Sequence, residues 1–163
     1  MPTLHLSLHI AAPVERCFDL SRSIDLHKHS LGRSDERAVA GVRSGLIGLD
    51  ESVTWEATHF GIRQRLTSRI TAYDRPRYFR DSMVSGAFAR FDHDHFFEMD
   101  GGGTLARDVF NFDAPFGILG RLAEMAFLTR YVHRLLSDRS LTIKRVAESD
   151  EWRAYLAVAE RAG

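Results

Sequence analysis

The chain has 163 residues, 44% of them hydrophobic, and its 22 basic and 22 acidic side chains cancel to a formal net charge of +0. A chain of this size is expected to form one globular domain burying roughly two-thirds of its unfolded surface, and the balanced charge, with no long Lys/Arg block, excludes a general nucleic-acid binder. Cys17 stands alone, no basic-then-apolar leader pattern opens the chain, and no run approaches the roughly 20 apolar residues of a membrane span, which together predict a cytoplasmic protein without stable membrane insertion.

Leu4, Leu6, Leu8 and Ile10 alternate with His5, Ser7 and His9, the period-2 pattern of a half-buried strand. Pro13 ends it and suits the first turn of a helix. Val14, Cys17, Phe18 and the stretch Leu20 to Leu26 predict one or two short helices before Gly32, with Cys17 packed as a small buried thiol. From Ser34 to Val42 the pattern is weak, and Val39 with Gly41, Gly45 and Gly48 predicts a modest strand and a hairpin loop. Val53, Trp55, Ala57 and His59 form one face of the next strand, and Gly61 marks its turn. Ile62 to Tyr73 reads as its neighbour, with Leu66, Ser68, Ile70 and Ala72 on one side and Arg65, Thr67, Arg69 and Thr71 on a wet side. Asp74-Arg75-Pro76 is turn chemistry, and Tyr78 to Val84 is extended again.

After Gly86 come Phe91 to Glu98, the turn Gly101-Gly102-Gly103, and a last strand through Phe112. The total is six or seven strands in an antiparallel meander. A long helix follows from near Ile118 to about Ala147, with Leu119, Leu122, Ala126, Leu135, Leu136 and Ile143 on its packed face and Arg121, Arg130, Arg134, Arg139, Lys144 and Arg145 on its wet side. Beyond Ser149-Asp150, Trp152, Tyr155, Leu156 and Ala159 repeat at helical spacing, so residues 1–148 are expected to form the domain and 149–163 a helical tail that docks on it or pairs with a second copy as a homodimer. An α+β domain results.

The run Phe79 to Phe88, then Phe91-Asp-His-Asp-His-Phe-Phe-Glu98, Gly103-Thr-Leu105, Asp108 and Pro115 to Gly120 resembles the START-like ligand-binding superfamily, also called SRPBCC. Trp55 within Val53 to Gly61, and the Asp74-Arg75-Pro76 turn, are similar to its bacterial branch of polyketide cyclase/dehydrase-like proteins, or of those named for a component of carbon monoxide dehydrogenase. The resemblance covers about residues 3–147. It implies a helix-grip fold, in which a curved antiparallel sheet wraps a long C-terminal helix, two short helices close one edge, and a mostly apolar ligand sits between sheet and helix.

On the last hairpin Phe91, His93, His95 and Phe97 share one face, and Asp92, Asp94, Phe96 and Glu98 share the other. Two aromatic rings around two imidazoles fit an apolar cavity wall with polar handles, whereas Asp92, Asp94 and Glu98 fit solvent. Phe79, Asp81 and Met83 on one neighbouring strand, and Asp108, Phe110 and Phe112 on the other, put one acid on each side, placed to hold the imidazoles. Trp55 joins this wall, with Leu122, Ala126 and Phe127 from the helix. The partner expected is a small hydrophobic or amphipathic molecule, lipid-like or polycyclic, bound without turnover. Two alternatives stay open: a cyclase or dehydrase-like enzyme using His93 or His95 as general acid/base, and an interaction module built on the Trp152/Tyr155 tail. A metal on His93 and His95 with Asp108 or His59 is geometrically allowed, but no complete ligand set is visible and no cofactor is assigned. A purely structural polar network tying the strands together explains the same residues.

Overall fold

A computed structural model describes residues 2–30, 35–114 and 121–160, with the side chains of 121–124 and 158–160 outside that description. Among the described residues seven strands form one antiparallel sheet: β1 (Thr3–Ile10), β2 (Arg37–Gly41), β3 (Ser52–His59), β4 (Ile62–Asp74), β5 (Tyr78–Ser85), β6 (Arg90–Asp100) and β7 (Gly103–Asp113). Their spatial order, β1-β7-β6-β5-β4-β3-β2, is a meander from β2 to β7 with β1 added beside β7. Helices α1 (Val14–Ser21) and α2 (Ile24–Ser30) follow β1, and α3 (Arg121–Ala147) and α4 (Trp152–Glu160) end the chain. The starting residues expected for the long helix, Ile118 and Leu119, lie outside the described residues, as do the Pro115 to Gly120 portion of the resemblance, Gly32 and Ser34.

Local chemistry sets the helix starts. Pro13 is the N-cap residue of α1, one position earlier than the first turn, with an extended ψ of 146° and Glu15 in the turn that follows. Ser23 caps α2 by accepting the Leu26 backbone N–H at 3.2 Å. Phe18 is fully buried and meets Tyr73, Phe79 and Phe97 edge-on, with centroids 5.4 to 5.6 Å apart, which locks α1 onto the sheet. Cys17 is buried beside it, and burial pushes its thiol up from an ordinary 9.0.

The β4 alternation holds only as far as Ile70. A bulge against β5 between Ile70 and Ala72 shifts the parity, so Tyr73 rather than Ala72 joins the core side and reaches Phe18. The 27-residue helix α3 is about 40 Å long. Its close packing is with α1, α2 and β1. Over the rest of the sheet its backbone stands off, with Leu128, Val132 and Leu136 reaching the apolar cluster of Phe91, Phe110 and Phe112, while a separate cluster gathers around Phe18, Trp55, Ile70 and Phe79. α4 folds back on α1: Trp152, Tyr155 and Leu156 pack on the first cluster, and the Arg16 guanidinium lies 4.3 Å from the centre of the Trp152 ring. None of the described helices is long and apolar enough to cross a membrane.

Candidate functional site

Period-2 alternation on three paired strands builds the centre of the site. The register sets Asp81 of β5 opposite His93 of β6, and His95 of β6 opposite Asp108 of β7, so two acids and two imidazoles meet on one face. His95 is held at both ring nitrogens: Nδ1 lies 2.7 Å from Asp108 Oδ1, and Nε2 lies 2.9 Å from Asp81 Oδ1. Nε2 is hydrogen-bonded to Asp81 and Asp108 stands at ion-pair distance from Nδ1, so the two carboxylates favour the imidazolium form of His95. Burial alone would strip that proton, but the two carboxylates outweigh it and hold the His95 pKa above the ordinary 6.5. Burial likewise opposes ionisation of the acids. The imidazoles prevail, taking Asp81 down to about 2 and Asp108 well below 3.8.

His93 is the neutral member. Burial, and then the charge on His95 with its ring centroid 3.8 Å away, push its pKa below 6.5. Its Nε2 is 3.3 Å from Asp108 Oδ1 but poorly aligned, and it is buried without a hydrogen-bond partner among the described residues. From α3, Ser140 donates its hydroxyl to Asp108 Oδ2 at 3.3 Å. Arg139 donates to the Ser21 carbonyl at 2.7 Å, and its charge is felt by Asp81 and His95.

Asp81, 21% exposed at its side chain, and His93 face a cavity of about 780 Å³ enclosed between sheet and α3. The volume falls in the range of small-molecule sites. Its walls are mainly apolar: Val53, Trp55, Ile70, Phe79, Phe91 and Phe110 from the sheet, facing Leu128, Val132, Leu135 and Leu136 from the helix. Phe60 and Ile62 line it while more than half exposed, so it reaches the surface at the β3–β4 turn. That turn holds Phe60 at a φ of 53°, unusual for a bulky residue, with its ring 4.6 Å from that of Tyr131.

Of the residues expected at the wall, Trp55, Phe79, Asp81, Phe91, His93 and Phe110 line this cavity. His95, Asp108 and Phe97 sit behind it, against a void of about 20 Å³ shared with Leu6, Leu8 and Ile143. Phe112 is buried in the second cluster and Met83 packs against that cluster, neither touching the cavity. Ala126 and Phe127 turn outward, Phe127 being 59% exposed, because the helix is rotated to present Val132 and Leu136 inward. The Leu122 side chain lies outside the described residues.

Three polar positions differ from expectation. Asp94 is 5% exposed rather than solvated, clamped on the outer face by Arg80 at 2.7 and 3.0 Å and by the Tyr78 hydroxyl at 2.5 Å. Burial and this carboxylate push the Tyr78 phenol up to about 12. Arg139, assigned to the wet side of the helix, lines the cavity instead. His59, weighed as a further metal ligand, bonds the Tyr131 hydroxyl through Nδ1 at 2.8 Å. Asp81, His93 and His95 do lie close enough together to surround a cation, with ligand atoms within 4.8 Å, but such a cation would have to displace the His95 proton. Sequence reasoning missed Glu36, His27, Gln64 and Tyr131 as cavity residues. The faint β2 pattern carried no signal for Glu36, and Tyr131 sits only one position from the inward-facing Val132.

The enclosing antiparallel sheet, the C-terminal helix and the two edge helices define a helix-grip, START-like fold. Solved structures of that shape include the Zhui aromatase/cyclase from a Streptomyces strain, at 14% identity over 96% of this chain and 97% of that one, with a TM-score of 0.71. A START superfamily protein from Mycobacterium smegmatis superposes with a TM-score of 0.67 at 8% identity over 90% and 97% of the two chains. A Thermus thermophilus protein does so with 0.68 at 20% identity over 87% and 97%. No protein-family profile and no curated protein matches the chain. At these identities the likeness is one of fold.

Proposed function

We propose that the protein binds a small hydrophobic or amphipathic molecule, lipid-like or polycyclic, in the cavity between sheet and α3. The observation that carries this reading is the cavity of about 780 Å³ with apolar walls and the Asp81/His93 pair on one side. A ligand that loses about 300 Å² of apolar surface to these walls gains about 7 kcal/mol before ordering costs are subtracted. Asp81 and His93 then orient its polar group, while His95 and Asp108 fix the two from behind. In this reading residues 1–148 are the binding domain of a cytoplasmic protein and 149–163 a helical tail, of which α4 packs on α1. The tail's Trp152, Tyr155 and Leu156 are engaged within the chain, which favours the cavity over an interaction module.

One observation supports a second reading, cyclase or dehydrase-like chemistry in the same space. His93 lines the cavity and is held neutral by burial and by the charge on His95, so one of its ring nitrogens keeps the lone pair that a general base needs. The likeness to an aromatase/cyclase points the same way. The test is native mass spectrometry of freshly purified protein, with 2-ethylnaphthalene titrated into wild type and Ala57→Phe. Ala57 is buried on the cavity wall, so the added ring projects into the cavity and removes part of its volume. One bound probe per wild-type chain and weaker uptake by Ala57→Phe are expected; no uptake by wild type would rule out the cavity as the binding site.

A further inference from the structure

We infer that Glu36 forms a second polar subsite of the same cavity, which selects ligands presenting a hydrogen-bond donor, a hydroxyl or an ammonium group, to its free carboxylate oxygen. This rests on the proposed function above. Glu36 immediately precedes β2, and its side chain is only 8% exposed although it belongs to the edge of the sheet. Its Oε1 lies 3.3 Å from His27 Nε2. Its Oε2 is buried with no hydrogen-bond partner among the described residues, and the residue lines the cavity. A buried carboxylate oxygen left unbonded is costly, and a donor arriving with a ligand removes that cost.

The surroundings hold the group in place. The His27 ring is stacked on Trp55 with centroids 4.2 Å apart, so it cannot swing to serve Oε2 while bonded to Oε1. His59 and Tyr131, hydrogen-bonded to each other, also line the cavity. Burial and the Glu36 charge keep the Tyr131 phenol protonated by raising its pKa. β2 stands three strands from β5 in the sheet, about 14 Å around its curve at ordinary strand spacing. The Glu36 subsite is therefore separate from Asp81 and His93, with Trp55, Val53 and Ile70 forming apolar wall in the same cavity. An elongated apolar molecule with a donor at the Glu36 end fits this layout.

Three probes of matched size test it: 2-ethylnaphthalene, 2-naphthalenemethanol and 2-(aminomethyl)naphthalene, with dissociation constants measured by fluorescence for wild type, Glu36→Met and Glu36→Gln. Relative to 2-ethylnaphthalene, at least one donor probe should lose about tenfold in affinity in Glu36→Met, the loss expected for a hydrogen bond to a charged acceptor. Glu36→Gln keeps a neutral acceptor, so retained hydroxyl binding identifies a hydroxyl site and selective loss of the amine identifies an ammonium site. Thermal unfolding confirms that both variants are folded. If all ratios stay the same while 2-ethylnaphthalene still binds, the subsite is refuted and the cavity reading survives. If none of the three binds wild type, the cavity reading falls and this inference with it.

Discussion

Replacing Asp81 with Asn removes one of the two carboxylates that hold the His95 imidazolium and nearly preserves shape. The folded environment takes the Asp81 pKa from an ordinary 3.8 to about 2. At about 1.4 kcal/mol per pH unit, that depression amounts to about 2 kcal/mol of stability at neutral pH. The sign follows from linkage. A carboxyl with a depressed folded pKa contributes fully above 3.8, and its contribution fades as pH falls through that value toward 2, where the folded protein also binds the proton. Urea unfolding at a series of pH values should show wild type about 2 kcal/mol more stable than Asp81→Asn at pH 7, the gap narrowing below pH 4. Over the same series, His95 should release its proton at a lower pH in the variant, read by its imidazole NMR shifts, because only Asp108 remains to hold it. A gap that is absent at pH 7, or constant down to pH 2, would refute the ionic account of this cluster.

His95→Phe should destabilise the fold by about 3 kcal/mol in chemical denaturation, since it leaves Asp81 and Asp108 without the cation between them. His93→Phe removes a neutral group, so the fold should persist while the affinity for polar cavity ligands changes; unaltered binding would deny His93 its orienting role. Gly41→Ala should cost about 3 kcal/mol or more, measured as a lowered denaturation midpoint. The new Cβ would lie 2.1 Å from the Ser52 carbonyl oxygen at a φ of +70°. Trp152→Ala should cost about 2 kcal/mol through lost packing under Arg16, with elution volume unchanged; a change in mass on size exclusion would instead assign the tail to an interface.

How far the sequence carried depended on how local the cause was. Alternation on β6 follows from strand geometry alone, so the common face of Phe91, His93, His95 and Phe97 was legible, and each neighbouring strand showed one acid on the matching face. Hairpin turns at Gly61 and Gly101-Gly102 were equally local, because positive φ marks them. The capping of α2 by Ser23, one bond between near neighbours, was local too but is visible only once the boundary is known.

What the chain alone determined was the order of its elements and which side chains share a face within each strand. The tertiary structure decided how those faces meet. The β4 bulge that turns Tyr73 inward arises from pairing with β5, and the rotation of α3 that buries Val132 and aims Arg139 at the cavity arises from packing on α1, α2 and β1. The burial of Asp94 under Arg80 and of Glu36 beside His27 likewise depends on groups brought together across the fold. Strand periodicity is a property of consecutive peptide units, whereas helix rotation, strand slippage and the pairing of charges are settled by contacts between residues distant in sequence.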